Sequence, residues 1–347
     1  MAACDPIPKT GPRPYDRRER AKPARICFGH LTALQILRAA RPGMLAPEKG
    51  AARTLPDHAP RAGELQRKLE LLETMHADLR FEKPAHVLVG NPNCRASPTC
   101  KPHVHGNPLP SGSLLRLDRE TILTAPATSF VHLARQASET ALLELGWEMC
   151  GSYQTKRTGA RPAYQVEPLT STRALRTYVT KNPSMGGARK VQRILPYLAD
   201  GSASARESKL ALVLGLPLSR GGYGLGIPRM NYEVSANSAA RAISGRRSFR
   251  CDLCWPEAKL DVEYQSREHH EGEVSRLRDS RRANALVAMG WIVIGVTNDE
   301  LDSMLATDTI AASIRKRLCK RLQMRFPDHH ARKLGLRREL GLPVGFD

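Results

Sequence analysis

The sequence predicts an α/β protein: a carboxyl-terminal core of helices around a mixed sheet, preceded by a smaller mixed α+β amino-terminal domain. Three stretches carry this reading. Leu260–Gln265 alternates apolar and polar residues strictly, which is the period of a strand. Leu65, Leu69, Leu72, Met75 and Leu79 fall at helical spacing between Glu64, Lys68, Glu70 and Glu73, giving an amphipathic helix over 62–79. A helical stretch from Glu273 to Met289 runs into the apolar strand Trp291–Val296.

A chain of 347 residues is long enough for two domains, each with its own core. Residues 1–24 carry Pro6, Pro8, Pro12, Pro14 and Pro23 among Arg17, Arg18 and Arg20, without apolar periodicity, and read as a disordered basic leader. Residues 25–195 then form the amino-terminal domain. It holds a short helix within Ile26–Ala40, a loop over 46–60, the helix at 62–79, a strand His86–Val89 and a helical stretch Pro126–Met149, broken or continuous. Lys181–Gly187 reads as a linker, and a helix follows it to Asp200-Gly201. Residues 196–305 form the core domain. A helix starts near Ser202 or Ser204, strands follow at 230–234, 249–255 and 259–265, and the 273–289 helix and its strand come last. Residues 306–347 form a basic helical tail.

The formal charge of +20 attracts polyanions through counterion release, and nucleic acid is the commonest polyanion. No run approaches the ~20 apolar residues that cross a bilayer, no apolar signal segment follows Met1, and the eight cysteines do not resemble a small secreted disulfide framework. A cytoplasmic protein with reduced thiols, without a membrane partner, is the expectation.

Period two places Leu260, Val262 and Tyr264 on one face of their strand and Asp261, Glu263 and Gln265 on the other. A turn at Pro256-Glu257-Ala258 would return this strand antiparallel to Phe249–Trp255 and bring Asp252 near Glu263. Two carboxylates converging at a sheet end form a hard, oxygen-rich site suited to Mg2+, with Mn2+ as a substitute. Such an ion activates water and neutralises charge on a phosphodiester.

These residues resemble the PD-(D/E)xK, or restriction-endonuclease-like, superfamily, in particular its very-short-patch-repair-like branch, over about residues 202–299. Glu207 stands where that family has a helix-borne acid. Asp252 precedes Trp255-Pro256-Glu257, Glu263 follows the turn, His269-His270 come next, and Asp279, Arg282, Leu286 and Gly290 repeat a D-x-x-R-x-x-x-L-x-x-x-G spacing. The resemblance implies an αβα core in which Asp252 and Glu263 ligate the metal with the backbone carbonyl of Tyr264. It makes Glu207 a supporting acid, His269 or His270 a proton donor or phosphate contact, and Arg282 a brace or backbone contact. Gln265 departs from the pattern, because many members have Lys there and glutamine supplies neither charge nor base. Retention of the fold with loss of activity is therefore the alternative. Local readings also stand beside the family's: Asp261 as a solvated strand residue, and Asp279 with Arg282 as an i,i+3 ion pair.

Other candidates are weaker. Cys94, Cys100, His103 and His105 depart from the spacing of structural zinc sites. Cys251 and Cys254 lie three apart on a strand and should face opposite sides. Gly221–Gly226 is a turn rather than a dinucleotide loop. In Ser313–Leu340 ten Lys or Arg residues face only Asp328 and Glu339, while Ile310, Ile314, Leu318 and Leu322 form an apolar seam. A helix with Arg315, Lys316, Arg317, Lys320 and Arg321 fits phosphate contact, or equally a solvated helix packed on the core. Phe28–Ala33 and Thr124–Thr128 are short words similar to relatives of AbiEi abortive-infection antitoxins, which implies a recognition or partner-binding domain. Two functions follow: a Mg2+-dependent DNA endonuclease, with double-strand cleavage favouring a homodimer, or a catalytically silent antitoxin-like DNA-binding regulator. A weaker third is a module docking a protein partner in a phage-defence or toxin–antitoxin system.

Overall fold

Apolar residues at the start of the chain enter a sheet before they enter a helix. In the computed structural model, which describes residues 24–40, 45–47, 55–76, 79–155, 161–265, 273–321 and 327–345, Ile26–Phe28 is strand β1 and His30–Ala39 is helix α1. The short helix expected within 26–40 is α1, and a strand precedes it. Ile26, Cys27 and Phe28 are buried because β1 sits inside the sheet, with neighbours on both sides. The leader falls in residues 1–23, outside the described residues apart from Ala24.

The chain divides into two compact units, with the boundary at Ser129/Phe130 rather than near 195. The amino-terminal unit continues with β2 (Ala46–Pro47), α2 (Ala62–Met75), β3 (Ala85–Val89), β4 (Cys100–Val104), β5 (Leu114–Arg116) and β6 (Thr121–Thr124). Its six strands form one mixed sheet in the order β2-β5-β6-β1-β3-β4. Leu65, Leu69 and Leu72 are the buried stripe of α2, as their spacing requires, whereas Met75 is exposed and Leu79 is buried beyond the helix end.

Helix α3 (Pro126–Ala134) carries the chain into the second unit. There follow α4 (Glu139–Cys150), β7 (Tyr153–Gln154), β8 (Ala163–Tyr164), α5 (Thr172–Lys181) and α6 (Ala188–Ile194). The break between α3 and α4 lies just before Ser138, whose side chain accepts the Ala141 N–H as an N-cap. These helices belong with the unit that holds the carboxylates, because their apolar faces pack within it. Trp147 is fully buried, and its indole N–H donates to the Tyr197 carbonyl at 2.9 Å.

Next come α7 (Ala205–Gly215), β9 (Arg229–Ser235), α8 (Ser238–Ser244), β10 (Ser248–Trp255), β11 (Leu260–Gln265), α9 (Glu273–Ala288) and β12 (Ile292–Thr297). The sheet order is β12-β11-β10-β9. A short turn over Pro256–Ala258 joins β10 and β11 antiparallel, with Leu253 opposite Val262 and Trp255 opposite Leu260. Strands β11 and β12 are parallel, and α9 supplies the long crossover that a parallel pair needs. Leu286 is buried in the core, and Gly290, at φ 78, takes the left-handed conformation that ends α9.

The last elements are α10 (Asn298–Asp302), α11 (Met304–Arg317) and α12 (His329–Glu339). They belong to the same compact unit rather than to a separate tail. Ile314 is fully buried, Ile310 and Leu318 partly, and Leu322 lies outside the described residues. The fold is mixed α/β, and no described helix is long and apolar enough to cross a membrane.

Trp147→Ala should cost about 3–5 kcal/mol through the cavity it leaves and the lost hydrogen bond. Urea unfolding followed by circular dichroism measures this, and a loss under about 1 kcal/mol would contradict the packing described.

Candidate metal and nucleic-acid site

The hairpin of β10 and β11 gathers acids, and α9 supplies their counter-charge. Continuing the register one step past Leu253–Val262 sets Asp252 opposite Glu263. Regular pairing stops there: the Tyr264 N–H donates to Asp252 Oδ2 at 3.0 Å. On the other flank, continuing the β9 register sets Asn231 opposite Asp252, and Asn231 has φ 47, a left-handed backbone. The two strands beside Asp252 are thus both distorted at its level.

That distortion changes which side chains share a face. Cys251 and Cys254, expected on opposite sides, lie in one buried cluster with Phe249, Ala285 and Leu286. Cys251 also lies with Asp261 and Glu263, one potential ligand atom from each falling within 4.8 Å of the others. A hydrogen bond with Cys254 and burial push the Cys251 thiol far up, so it remains a neutral thiol, a poor partner for a hard cation.

Asp261 is not the solvated strand residue expected locally. It is wholly buried, and neither carboxylate oxygen receives a hydrogen bond. Arg282 Nη2 lies 3.8 Å from Asp261 Oδ2 and 2.5 Å from Glu263 Oε1, and it also donates to the Arg250 carbonyl at 2.5 Å. The guanidinium thus braces the acids, where an i,i+3 pair with Asp279 was the local alternative. Asp279 itself is exposed.

Glu207 reaches the same neighbourhood from α7. Its backbone N–H donates to Ser204 Oγ at 3.1 Å, capping the helix. Its carboxylate accepts from Ser204 Oγ, Ala203 N–H and Asn231 Nδ2 at 3.0, 3.0 and 3.3 Å. Burial, and then the charge of Asp252, raise its pKa. Asp252 is pushed up to about 7 by burial and by Glu263. Asp261 and Glu263 are each pushed up to about 8, chiefly by burial, with the two carboxyls close enough to share a proton. Arg282 pulls down on Asp252, Asp261 and Glu263 but does not outweigh burial.

The carboxylate donors of Asp261 and Glu263 suit a hard divalent cation such as Mg2+ or Mn2+. Among the described residues Asp261 and Glu263, close together, would hold it, and Asp252, outside that close group, senses Glu263 through its charge. Tyr264 contributes its N–H to Asp252, and its phenol donates to Asn298. Gln265 is exposed and lies against Gly295 on β12, close enough that a Cβ there would come within 2.9 Å of its Nε2. His269 and His270 lie outside the described residues.

Beside the acids is a cavity of about 310 Å3 lined by Ser244, Arg246, Leu277, Arg278, Arg281 and Arg282. The sequence did not single out Arg246, Arg278 and Arg281. For Arg278 and Arg281 the signal was the Arg-rich character of α9, and for Arg246 only the Arg246-Arg247 pair before β10. Of the basic residues expected to touch phosphate, Arg315 Nη2 donates to the Tyr223 carbonyl at 2.6 Å and Lys320 Nζ to the Leu225 carbonyl at 2.5 Å. Both brace the Gly221–Gly226 turn. Lys316, Arg317 and Arg321 are exposed. Among the described residues, no group of three potential ligands includes Cys94, Cys100 or His105; His103 lies instead with His30 and His86.

No family model matches the chain, and no solved structure matches it. It is similar to two uncharacterised proteins of Mycobacterium tuberculosis, from strains CDC 1551 and H37Rv, each 28% identical over 215 residues. The match covers 61% of this chain and 66% of each relative, so the chain spans slightly less than two thirds of their length.

The raised carboxyls have a thermodynamic consequence. Between the unfolded values, near 4, and about 8, the folded state holds more protons than the unfolded state, so stability falls as pH rises through that window. Thermal unfolding of metal-free protein should show a lower midpoint at about pH 8.5 than at about pH 5. The slope should flatten in Glu263→Gln, and Mg2+ should raise the midpoint most at the alkaline end. A wild-type profile no steeper than that of Glu263→Gln would contradict the burial of these acids.

Proposed function

We propose that the carboxyl-terminal unit is a Mg2+-dependent endonuclease site that hydrolyses DNA phosphodiester bonds. The observation that carries this reading is the double role of Arg282, which lines the arginine cavity and lies 2.5 Å from Glu263. A phosphate drawn to Arg246, Arg278 and Arg281 arrives beside the carboxylates, which would repel it unless a cation intervened. The net charge of +20 supports a polyanionic substrate. When bound, the ion supplies Lewis-acid stabilisation of the phosphoryl group and lowers the pKa of a coordinated water.

The chain's own residues position and balance this chemistry. The Tyr264 N–H orients Asp252, and Glu207 holds Asn231 at the strand distortion beside it. Arg282 would move from the carboxylates toward phosphate as a cation takes over their charge. Gln265 can orient a water by hydrogen bonding but cannot accept its proton as a base. The described residues therefore provide no general base at that position.

A second reading is favoured by one contact. Arg282 already lies 2.5 Å from Glu263 and offsets part of its charge, so the fold can hold DNA through its arginines without chemistry, as a regulator or antitoxin-like binder would. Both readings place the protein in the cytoplasm with DNA as partner, and a protein partner from a defence system belongs to the second.

A supercoiled-plasmid assay with Mg2+ or Mn2+ separates them. Wild type should nick, and Asp252→Ala and Glu263→Ala should lose at least about a hundredfold, as loss of a metal ligand implies. DNA retention without cutting above the variants would establish the binding-only reading. Arg278→Ala and Arg281→Ala should each weaken DNA binding and lower its salt dependence by about one released ion.

A further inference from the structure

The amino-terminal unit holds a second cluster with different chemistry. His30 opens α1 with φ 51, a left-handed backbone uncommon outside glycine, though histidine adopts it more readily than most residues. His86 lies on β3, where its N–H donates to Thr32 Oγ1 of α1 at 2.8 Å. His103 lies on neighbouring β4; the register pairs Leu88 with His103 and His86 with Lys101, so His86 and His103 share a face. The His30 ring stacks on that of His103 with centroids 3.6 Å apart, and the His86 and His103 rings are 5.0 Å apart. His86 Nδ1 lies 2.9 Å from His103 Nε2, and one nitrogen from each of the three rings falls within 4.8 Å of the others.

We propose that His30, His86 and His103 form a tri-histidine site for a borderline divalent transition ion, with Zn2+ or Co2+ as the test ions. Three imidazoles this close cannot all be imidazolium cations, because like charges at such separations repel strongly. Burial, and then the charge of Lys101, hold the His86 pKa down. An all-nitrogen donor set selects zinc, cobalt, nickel or copper over magnesium and calcium. Three protein ligands leave one position of a tetrahedral ion for water or an exogenous ligand.

The ligands come from a helix start and two strands, so the ion would pin the β1–α1 junction to the β3–β4 pair. The left-handed residue His30 sets its ring on that of His103, beside the other two donors. Lys101 acts in the opposite sense, since its positive charge beside His86 also repels a cation. Affinity should therefore rise severalfold in Lys101→Met.

The test uses the full chain stripped with a chelator, then titrated with Co2+ and competed with Zn2+. One equivalent with the intense visible spectrum of a four-coordinate ion is expected. It should persist in Cys94→Ser/Cys100→Ser, in His105→Asn and in Asp252→Asn/Glu263→Gln, which excludes the other candidate ligands. His86→Ala, His103→Ala and His30→Asn (which tolerates the left-handed backbone) should each lose at least about a hundredfold in affinity while circular dichroism stays native. X-ray absorption on zinc-loaded wild type should show three imidazole nitrogens, a readout that stands even where a variant fails to fold. Folded protein that takes up neither ion, uptake unchanged in the His86/His103 double variant, or a sulfur-containing shell would overturn the proposal.

Discussion

One guanidinium, that of Arg282, sets the electrostatics of the carboxyl-terminal unit. Asp252, Asp261 and Glu263 surround a hairpin whose burial opposes their ionisation, and each feels Arg282 as the nearby cation that opposes that penalty. A single positive charge cannot balance three negative ones in a low-dielectric pocket, so the metal-free protein holds protons there near neutrality. A divalent ion would replace those protons. Asn231 distorts one flanking strand, and the Asp252 carboxylate takes a main-chain N–H from the other.

The carboxyl-terminal sheet was legible in the sequence because its signals are strong. Leu260–Gln265 alternates, Pro256–Ala258 supplies the turn, and Leu286 and Gly290 fall where a buried contact and a helix end require them. The amino-terminal strands were harder. Thr121–Thr124 is buried at every position and so shows no alternation. Cys100–Val104 contains Pro102, which argues against a central strand, yet β4 is an edge strand and tolerates it. Helix α5 has only Leu175 and Val179 buried, too thin a seam to stand out beside the Lys181–Gly187 linker.

Within the site, the sequence indicated Asp252, Glu263 and Arg282 as one group; Arg282 contacts Glu263, whereas Asp252 feels both only through their charge and takes its hydrogen bond from the Tyr264 N–H. It could not indicate Asp261 as a buried carboxylate, because a period of two shows which residues share a face but not whether that face meets solvent. Nor could period two foresee Cys251 and Cys254 in one cluster, since the strand is distorted between them. The basic residues near 315–321 divide for a local reason: the carbonyls of Tyr223 and Leu225 recruit Arg315 and Lys320 as braces. The three histidines lie on separate elements with no fixed spacing, so only the sheet register unites them.

The claim that most depends on these contacts is that the hairpin acids are a divalent-cation site. Crystals grown at alkaline pH and soaked in Mn2+ address it through anomalous scattering. The expected result is a peak between the carboxylates of Asp252 and Glu263, with Arg282 displaced from Glu263. A map without density there, at a pH where these acids are ionised and with the Arg282–Glu263 contact intact, would contradict it.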